Sequence, residues 1–372
     1  MLQNTILEVL THKSGKFVFS ARHDVAVLAP RLIELDVMHR MVATLPVLPS
    51  LHAQFKGELV RKSIHGTAAI EGNPLDEEQV AKILEMGDSF VAVNDREREI
   101  ANLAKAYERF ASFPKSDSAF TISEHLIKEI HATITDGLTT QGNIPGQYRN
   151  ILVEVGDIDH GGKYTPPKIL EDIKTLMSAF ISWLNSAPIL QLHPLIRAAL
   201  AHYHVGLIHP FRDGNGRTAR LLHLWYLLQQ GYPSTLFYAY SNNILKTKTK
   251  YYNTFTLIQD NYEISELIDL TPFIIYFNEY VYQKIDDITT IYSTIETYTQ
   301  YLKEGTITEK EKDLWNYVLS AYGENPFSTK QLEKDFGNAA YATIRTFVQK
   351  FEALGLLSSQ KYSNRIKYRI IN

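Results

Sequence analysis

His209-Pro210-Phe211-Arg212-Asp213-Gly214-Asn215-Gly216-Arg217-Thr218-Ala219-Arg220 is the stretch from which the rest of this 372-residue chain is best read. Pro210 disfavours helical geometry in the residue before it, so the apolar helical pattern running up to Ile208 should stop there. Gly214-Asn215-Gly216 accepts positive φ values, and successive N–H groups can curl into an anion-binding nest. A new helix then starts near Arg217 with the positive end of its dipole at the nest. Arg217 and Arg220, three apart, can reach one polyanion. Asp213 is a hard oxygen ligand suited to a Mg²⁺ shared with phosphates. His209 can take a proton from an attacking hydroxyl. These residues point to a nucleotide-phosphate site.

Working outward, the chain reads as mostly helical. Residues 1–50 look irregular because Pro30, Pro46 and Pro49 interrupt any long pattern. Leu51–Glu71 reads as a helix ending at Gly72-Asn73-Pro74, with Gly72 just past its end, Asn73 as the next N-cap and Pro74 opening the next helix, Pro74–Met86. Helices follow at 94–113 and Ser123–Asp136. The clear β-signal is at 151–167, two short arms around a Gly-Gly turn, the second ended by Pro166. Helices resume at 168–185, 194–207, 216–230, 246–260 and 271–303. Beyond Gly305 the order is helix (309–322), a short helix after Ser328, a longer helix (338–354) and a basic strand pair (356–371), which is the winged-helix order. Residues 305–372 hold ten Lys+Arg against seven Asp+Glu, and the last twelve hold four basic residues and no acid.

Composition narrows the function classes. Apolar residues make up 45% and charged residues 21%, which is ordinary globular usage. Thirty-eight Lys+Arg against 41 Asp+Glu gives −3, too balanced to make nucleic acid or anionic membrane the main partner. The absence of cysteine excludes disulfides, thiolate metal sites and a cysteine nucleophile. No signal-peptide pattern and no apolar run of membrane-spanning length stands out, so the expectation is a cytoplasmic protein with no membrane partner. Gly214-Asn215-Gly216-Arg217-Thr218-Ala219 matches the dinucleotide fingerprint in letters only, because a helix and not a strand precedes it. Phosphate-loop and kinase motifs are missing.

The stretch 209–220 resembles the Fic (Fido) family signature, HxFx[D/E]GNGRxxR, at every defined position. The resemblance implies a mainly α fold: a Fic-type helical core with a small β-hairpin flap, plus a C-terminal winged-helix-like α+β domain. It divides the chain into an N-terminal region with an inhibitory helix (1–115), the catalytic core (116–262), a helical connector (263–304) and the winged-helix-like domain (305–372). The implied activity is transfer of AMP from ATP to a Ser, Thr or Tyr hydroxyl of a protein, with Mg²⁺. By position, His209 is the implied general base, Phe211 the loop's apolar anchor and Asp213 the metal ligand. Gly214, Asn215, Gly216, Arg217, Thr218 and Arg220 are the implied phosphate contacts, with Arg220 at the γ-phosphate. Removal of AMP at the same site is an alternative, as is a DNA-binding regulator whose core senses nucleotide.

Three further segments extend the resemblance. Gln147-Tyr148-Arg149 and the stretch Lys163, Tyr164, Thr165 resemble the flap that docks the target segment by strand addition. Tyr251-Tyr252 resembles a pair whose second member lies by the adenine. Thr67-Ala68-Ala69-Ile70-Glu71-Gly72 matches the inhibitory pattern [S/T]xxxE[G/N]. Glu71 sits at a helix end where the dipole disfavours an anion unless a cation compensates, and Arg220 would be that cation. His193, His202, His204 and His223 fit no metal or triad spacing and read as core or surface polarity. The expected partners are a target protein, the chain itself among the candidates, a second copy in a homodimer, and DNA or protein at the C-terminal domain.

Overall fold

The computed structural model describes residues 5–44, 49–112, 121–156, 164–232, 239–282, 298, 300–322, 326–362 and 365–371. The chain divides into two compact units, Met1–Ala43 with Leu59–Gln283, and Thr44–Glu58 with Lys284–Asn372.

The first unit opens with an antiparallel hairpin, β1 (Ile6–Leu10) and β2 (Lys16–Ser20), followed by helix α1 (Val25–Thr44). Irregular chain was expected over this stretch, and the difference has two physical causes. The turn is tied down from afar: Asp172 accepts from the main-chain N–H groups of His12, Lys13 and Ser14 at 2.8–3.0 Å and from the Ser14 hydroxyl at 2.6 Å. Pro30 falls in the second turn of α1, where it removes one backbone donor and leaves Leu28, Leu32 and Leu35 buried on one face.

Helix α2 (Pro49–Ile70) ends in a Schellman arrangement, with Gly72 at φ 90°, Gly72 N–H on Ala69 O and Asn73 N–H on Ala68 O. Glu71 is thereby the C-cap residue. Helix α3 (Glu77–Met86) begins three residues later than expected, because Asp76 and Gln79 form a reciprocal capping box. Asn73 is not an N-cap; its amide turns inward to Arg96 O and the Glu99 carboxylate. Helices α4 (Asp95–Ser112), α5 (Glu124–Thr135), α6 (Leu170–Leu184) and the short α7 (Ala187–Leu190) follow.

At the centre lie α8 (Pro194–Ile208) and α9 (Asn215–Gln229), both buried nearly all round. Their sequences, ALAHYHVGLI and LLHLWYLL, lack a polar face, so both helices must be enclosed. The enclosing helices include α10 (Tyr240–Lys246), α11 (Lys248–Ser265) and α12 (Thr271–Tyr276), the last running into a π-helical turn, Phe277–Val281. His202, His204 and His223 are fully buried and hydrogen-bonded to Tyr251, Ser20 and Tyr282 respectively.

The second unit contains α13 (Glu309–Ala321), α14 (Thr329–Phe336), α15 (Tyr341–Ala353), β3 (Leu357–Tyr362) and β4 (Arg365–Ile370). The strands pair antiparallel with Ser359 opposite Tyr368, and Phe327 bridges to Tyr368 from the other side. Three helices, a hairpin and this third strand position make the winged-helix arrangement. Its core is apolar and aromatic, with Trp315, Phe347 and Phe351 in ring contact.

Candidate active site

The turn between α8 and α9 is built from its own side chains. Asn215 donates to Phe211 O and accepts from Phe211 N–H, both at 2.9 Å, which closes the loop on itself. Phe211 is fully buried, and its ring stacks on His131 at 3.7 Å with planes 2° apart. His131 accepts from Gly146 N–H at Nδ1, which leaves Nε2 as the donor to Asp213 O at 3.0 Å. Gly214 takes φ 77°, and an added Cβ there would lie 3.0 Å from Thr135 Cγ2.

His209 ends α8 in the left-handed region, φ 48° and ψ 57°. For a residue with a Cβ that conformation costs ~1–2 kcal/mol. It turns the imidazole out of the helix and into the cleft. Burial and the nearby Arg149 guanidinium push the imidazole down to about 4, against the opposing pull of a hydrogen bond to the Gly206 main chain and of Glu71 and Asp213. The ring is therefore neutral near pH 7 and free to accept a proton.

The cleft measures about 690 Å³, within the usual range for small-molecule sites. Of the motif, His209, Gly216, Ala219 and Arg220 line it, together with Glu71, Tyr164, Tyr251 and Tyr252. Tyr252 stands 5.1 Å from the Tyr251 ring, with Lys248 over its face. Tyr164 pairs with Val155 through two main-chain hydrogen bonds of 2.8 and 2.9 Å, which joins the two arms of 151–167 at that point. Thr165 follows it on the exposed surface. Lys163 and the turn between the arms lie outside the described residues.

Glu71 and Arg220 meet at 2.6 Å. Arg220 is 1% exposed and donates in addition to Thr67 Oγ1 and Thr67 O, so the first residue of the inhibitory pattern has a contact of its own. Burial alone would raise the Glu71 carboxyl; Arg220 and Arg217 reverse that and hold it below the usual carboxylate range. Its Oε1 lies 2.3 Å from where a Cβ on Gly216 would sit. The carboxylate thus lies against the first turn of α9, where an anion is favoured by unpaired N–H groups and the helix dipole. Gly66 lets α2 pass close to α10, since a Cβ there would fall 2.4 Å from Asn242 N.

The remaining expected phosphate contacts are placed differently. Arg217 is 4% exposed and its guanidinium is shared between Glu99 at 2.6 Å and Asp213 at 2.8 Å, away from the cleft lining. Thr218 is fully buried, its hydroxyl has no partner among the described residues, and it faces the core because its helical position points away from α2. The Asn215 side chain is spent on Phe211. Asp213 Oδ1 accepts from Gly214 N–H and Arg217, while Oδ2 accepts from Thr140 at 3.0 Å. Its side chain is 32% exposed, which suits the one-carboxylate mode by which Mg²⁺ is commonly held with phosphates and water. No cluster of three metal-ligating side chains occurs among the described residues.

Sequence reasoning passed over His131, Glu99 and Thr140 entirely, and it placed Asn73 only as a helix cap. It quoted Arg149 only as part of a flap-like tripeptide. Each acts on the loop or its surroundings from far along the chain, and only Asn73 and Arg149 sat in segments already singled out.

The comparisons with known proteins follow the same outline. Residues 121–227 match the Fic/DOC family. The chain is 30% identical over 257 residues to the Protein adenylyltransferase Fic of Drosophila willistoni, covering 66% of this chain and 44% of that protein. It is 31% identical over 218 residues to the Protein adenylyltransferase fic-1 of Caenorhabditis elegans, covering 57% and 38%. It therefore spans less than half the length of either relative. Among solved structures, a Fic family protein from Desulfovibrio desulfuricans shares the fold with TM-score 0.60 at 20% identity, over 94% of this chain and 96% of that one. Fic-1 from C. elegans aligns with TM-score 0.54 at 26% identity, over 70% and 71%. The intact loop motif, the paired central helices that present it and these similarities lead to one assignment: residues 121–227 are a Fic/DOC-family domain.

Proposed function

We propose that the protein is an adenylyltransferase that moves AMP from ATP to a Ser, Thr or Tyr hydroxyl of a protein. The observation that carries this reading is the neutral His209 imidazole facing the same cleft as the α9 N-terminus and Arg220. The ATP phosphates lie against the first turn of α9, Tyr252 borders the adenine, and the Tyr164–Thr165 arm aligns the target. His209 takes the hydroxyl proton as the oxygen bonds to the α-phosphorus, and the bond to the β-phosphate oxygen breaks to release pyrophosphate. Asp213 is the residue to hold Mg²⁺, which when bound neutralises charge on the phosphates. Arg217 keeps Asp213 in place by their shared hydrogen bond, and its own phosphate contact would require leaving Glu99.

In the described state Glu71 holds Arg220 and lies against Gly216, so the chain is autoinhibited until Glu71 leaves. The core at 116–262 does the chemistry, 1–115 carries the latch, 263–304 connects, and 305–372 is a contact module. The acceptor protein includes a second copy of this chain in a homodimer, and the setting is the cytoplasm. Among the described residues no helix is long and apolar enough to cross a membrane.

The test uses ATP labelled separately at the α- and γ-phosphates, with wild type, Glu71→Gly and Glu71→Gly/His209→Ala. Protein-bound α-label should rise with the first change and fall ~10²–10⁴-fold with the second. Bound γ-label would replace adenylylation by phosphorylation, and no label with ATP still bound would favour AMP removal. A second reading, duplex DNA contact by 305–372, is supported by the exposed Arg345, Thr346 and Gln349 on α15 with Lys361 and Arg369 on the strands.

A further inference from the structure

Arg149 is 3% exposed, and each of its three guanidinium nitrogens donates to a main-chain carbonyl. Nε donates to His209 O at 2.8 Å, Nη1 to Ile151 O at 2.8 Å and Nη2 to Pro167 O at 2.7 Å. Its main-chain N–H donates to Pro210 O at 2.9 Å. A buried guanidinium is expensive unless paired, and for Arg149 three carbonyl dipoles supply the pairing. The choice of carbonyls is informative. Ile151 and Pro167 are the two ends of the segment that closes through Val155 and Tyr164, while His209 and Pro210 begin the loop. One planar side chain therefore ties both ends of that segment to the residue bearing the imidazole.

The same contact finishes α8. His209 O is among the carbonyls a helix C-terminus leaves without an intrahelical donor, and a cation there also complements the dipole. The left-handed backbone of His209 is held from the N–H side by Val205 O at 3.0 Å and from the carbonyl side by Arg149.

We propose that Arg149 is a positioning residue for the transfer reaction: it fixes the imidazole of His209 and the base of the 151–167 segment in one frame, so that the target hydroxyl and the proton acceptor arrive in register. This rests on the adenylyltransferase reading. It predicts that Arg149 acts on the transfer step and leaves nucleotide binding alone, since Arg149 is not among the cleft-lining residues.

The experiment compares Glu71→Gly with Glu71→Gly/Arg149→Met and Glu71→Gly/Arg149→Lys. The Met change should lower kcat per folded molecule roughly 10²-fold, a loss comparable to misplacing reacting groups by about 1 Å, with KM for ATP little altered. Lys should recover only a small part, because a single ammonium cannot reproduce a planar three-way fork. The acid limb of the rate profile should move to higher pH in the Met variant, as His209 loses a neighbouring cation while Asp213 remains. A merely structural role would lower the melting temperature and leave kcat per folded molecule and the acid limb unmoved, and that result overturns the proposal. If the Met variant does not fold, the Lys variant decides by the same two readouts. Should Glu71→Gly itself transfer no AMP, the adenylyltransferase reading fails. NMR titration of the His209 ring in Arg149→Met then still decides: an unshifted ring refutes the coupling, an upward shift upholds it.

Discussion

The two units bury different chemistry. In the first, Arg149, Arg197, Arg217 and Arg220, the histidines at 131, 202, 204 and 223, and Asn215 are all less than 5% exposed. In the second, every buried residue among those described is apolar or aromatic, from Ile307 through Trp315 and Phe351 to Ile370. An apolar core is the cheaper solution, because each buried polar group needs a partner and each buried charge a counter-charge or several dipoles. The second unit takes that solution, and none of its basic residues among those described is buried. The first departs from it along both central helices, and Arg149, His131, Asn215, Arg217 and Arg220 gather around the turn between them. Locally unfavourable choices that persist near one loop mark where function overrides stability.

Acid should separate the two units most. Burial drives His131, His204 and His209 down to about 4 and His223 to about 3, and it drives His202 down as well. The ordinary histidine value lies near 6.5, so between there and about pH 4 the unfolded chain binds protons that the folded chain refuses. Stability of the first unit must then fall as pH falls, by up to ~1.4 kcal/mol per pH unit for each such histidine. In the second unit, residues 284–372 contain no histidine and the stretch 44–58 contains one, His52. Hydrogen exchange, corrected for intrinsic rates, should show α8 and α9 losing protection between pH 6 and 4.5 while α13 and α15 keep theirs. Simultaneous loss in both would mean that the buried histidines do not set the acid limit.

The contrast also explains what could be read in advance. The 209–220 motif was legible because its parts are adjacent in sequence and each has a local physical meaning. The Glu71–Arg220 pair was legible because a helix-end anion calls for a cation. The winged-helix order was legible from the sequence of elements beyond Gly305, with the short helix opening after Ser328, which the structure shows as its N-cap. The hairpin at 6–20 was not, since what secures its turn is Asp172, about 160 residues away. Nor were Glu99 and His131, whose roles arise from contacts 82 to 118 residues apart in sequence. At Asn215, Arg217 and Thr218 the side chains turn to the loop, to Glu99 and Asp213, and to the core respectively, so a residue fixed by the pattern also serves the loop's shape.

The outward chemistry of the second unit gives a smaller effect. If α15 contacts duplex DNA, binding by the full chain should weaken linearly in log salt. Arg345→Ala should then lower affinity about threefold to tenfold regardless of sequence and reduce the salt slope by about 1. Duplex binding that is absent at low salt would leave this surface to a protein partner.

The smallest expected effect tests the comparison from inside the motif. Thr218 is fully buried and its hydroxyl has no partner among the described residues, so it is a polar burial with no evident return. Thr218→Val keeps the shape and removes the unpaired group, which should leave stability unchanged or raise it by up to ~1 kcal/mol. Affinity for ATP should not move, because the side chain does not line the cleft. Thermal melts with and without ATP measure both quantities at once. A lower melting point, or a ligand-induced shift that disappears, would show that the hydroxyl finds a partner when nucleotide binds. Thr218 would then rejoin the phosphate contacts, and polar burial in the first unit would be functional even where the unliganded geometry shows no partner.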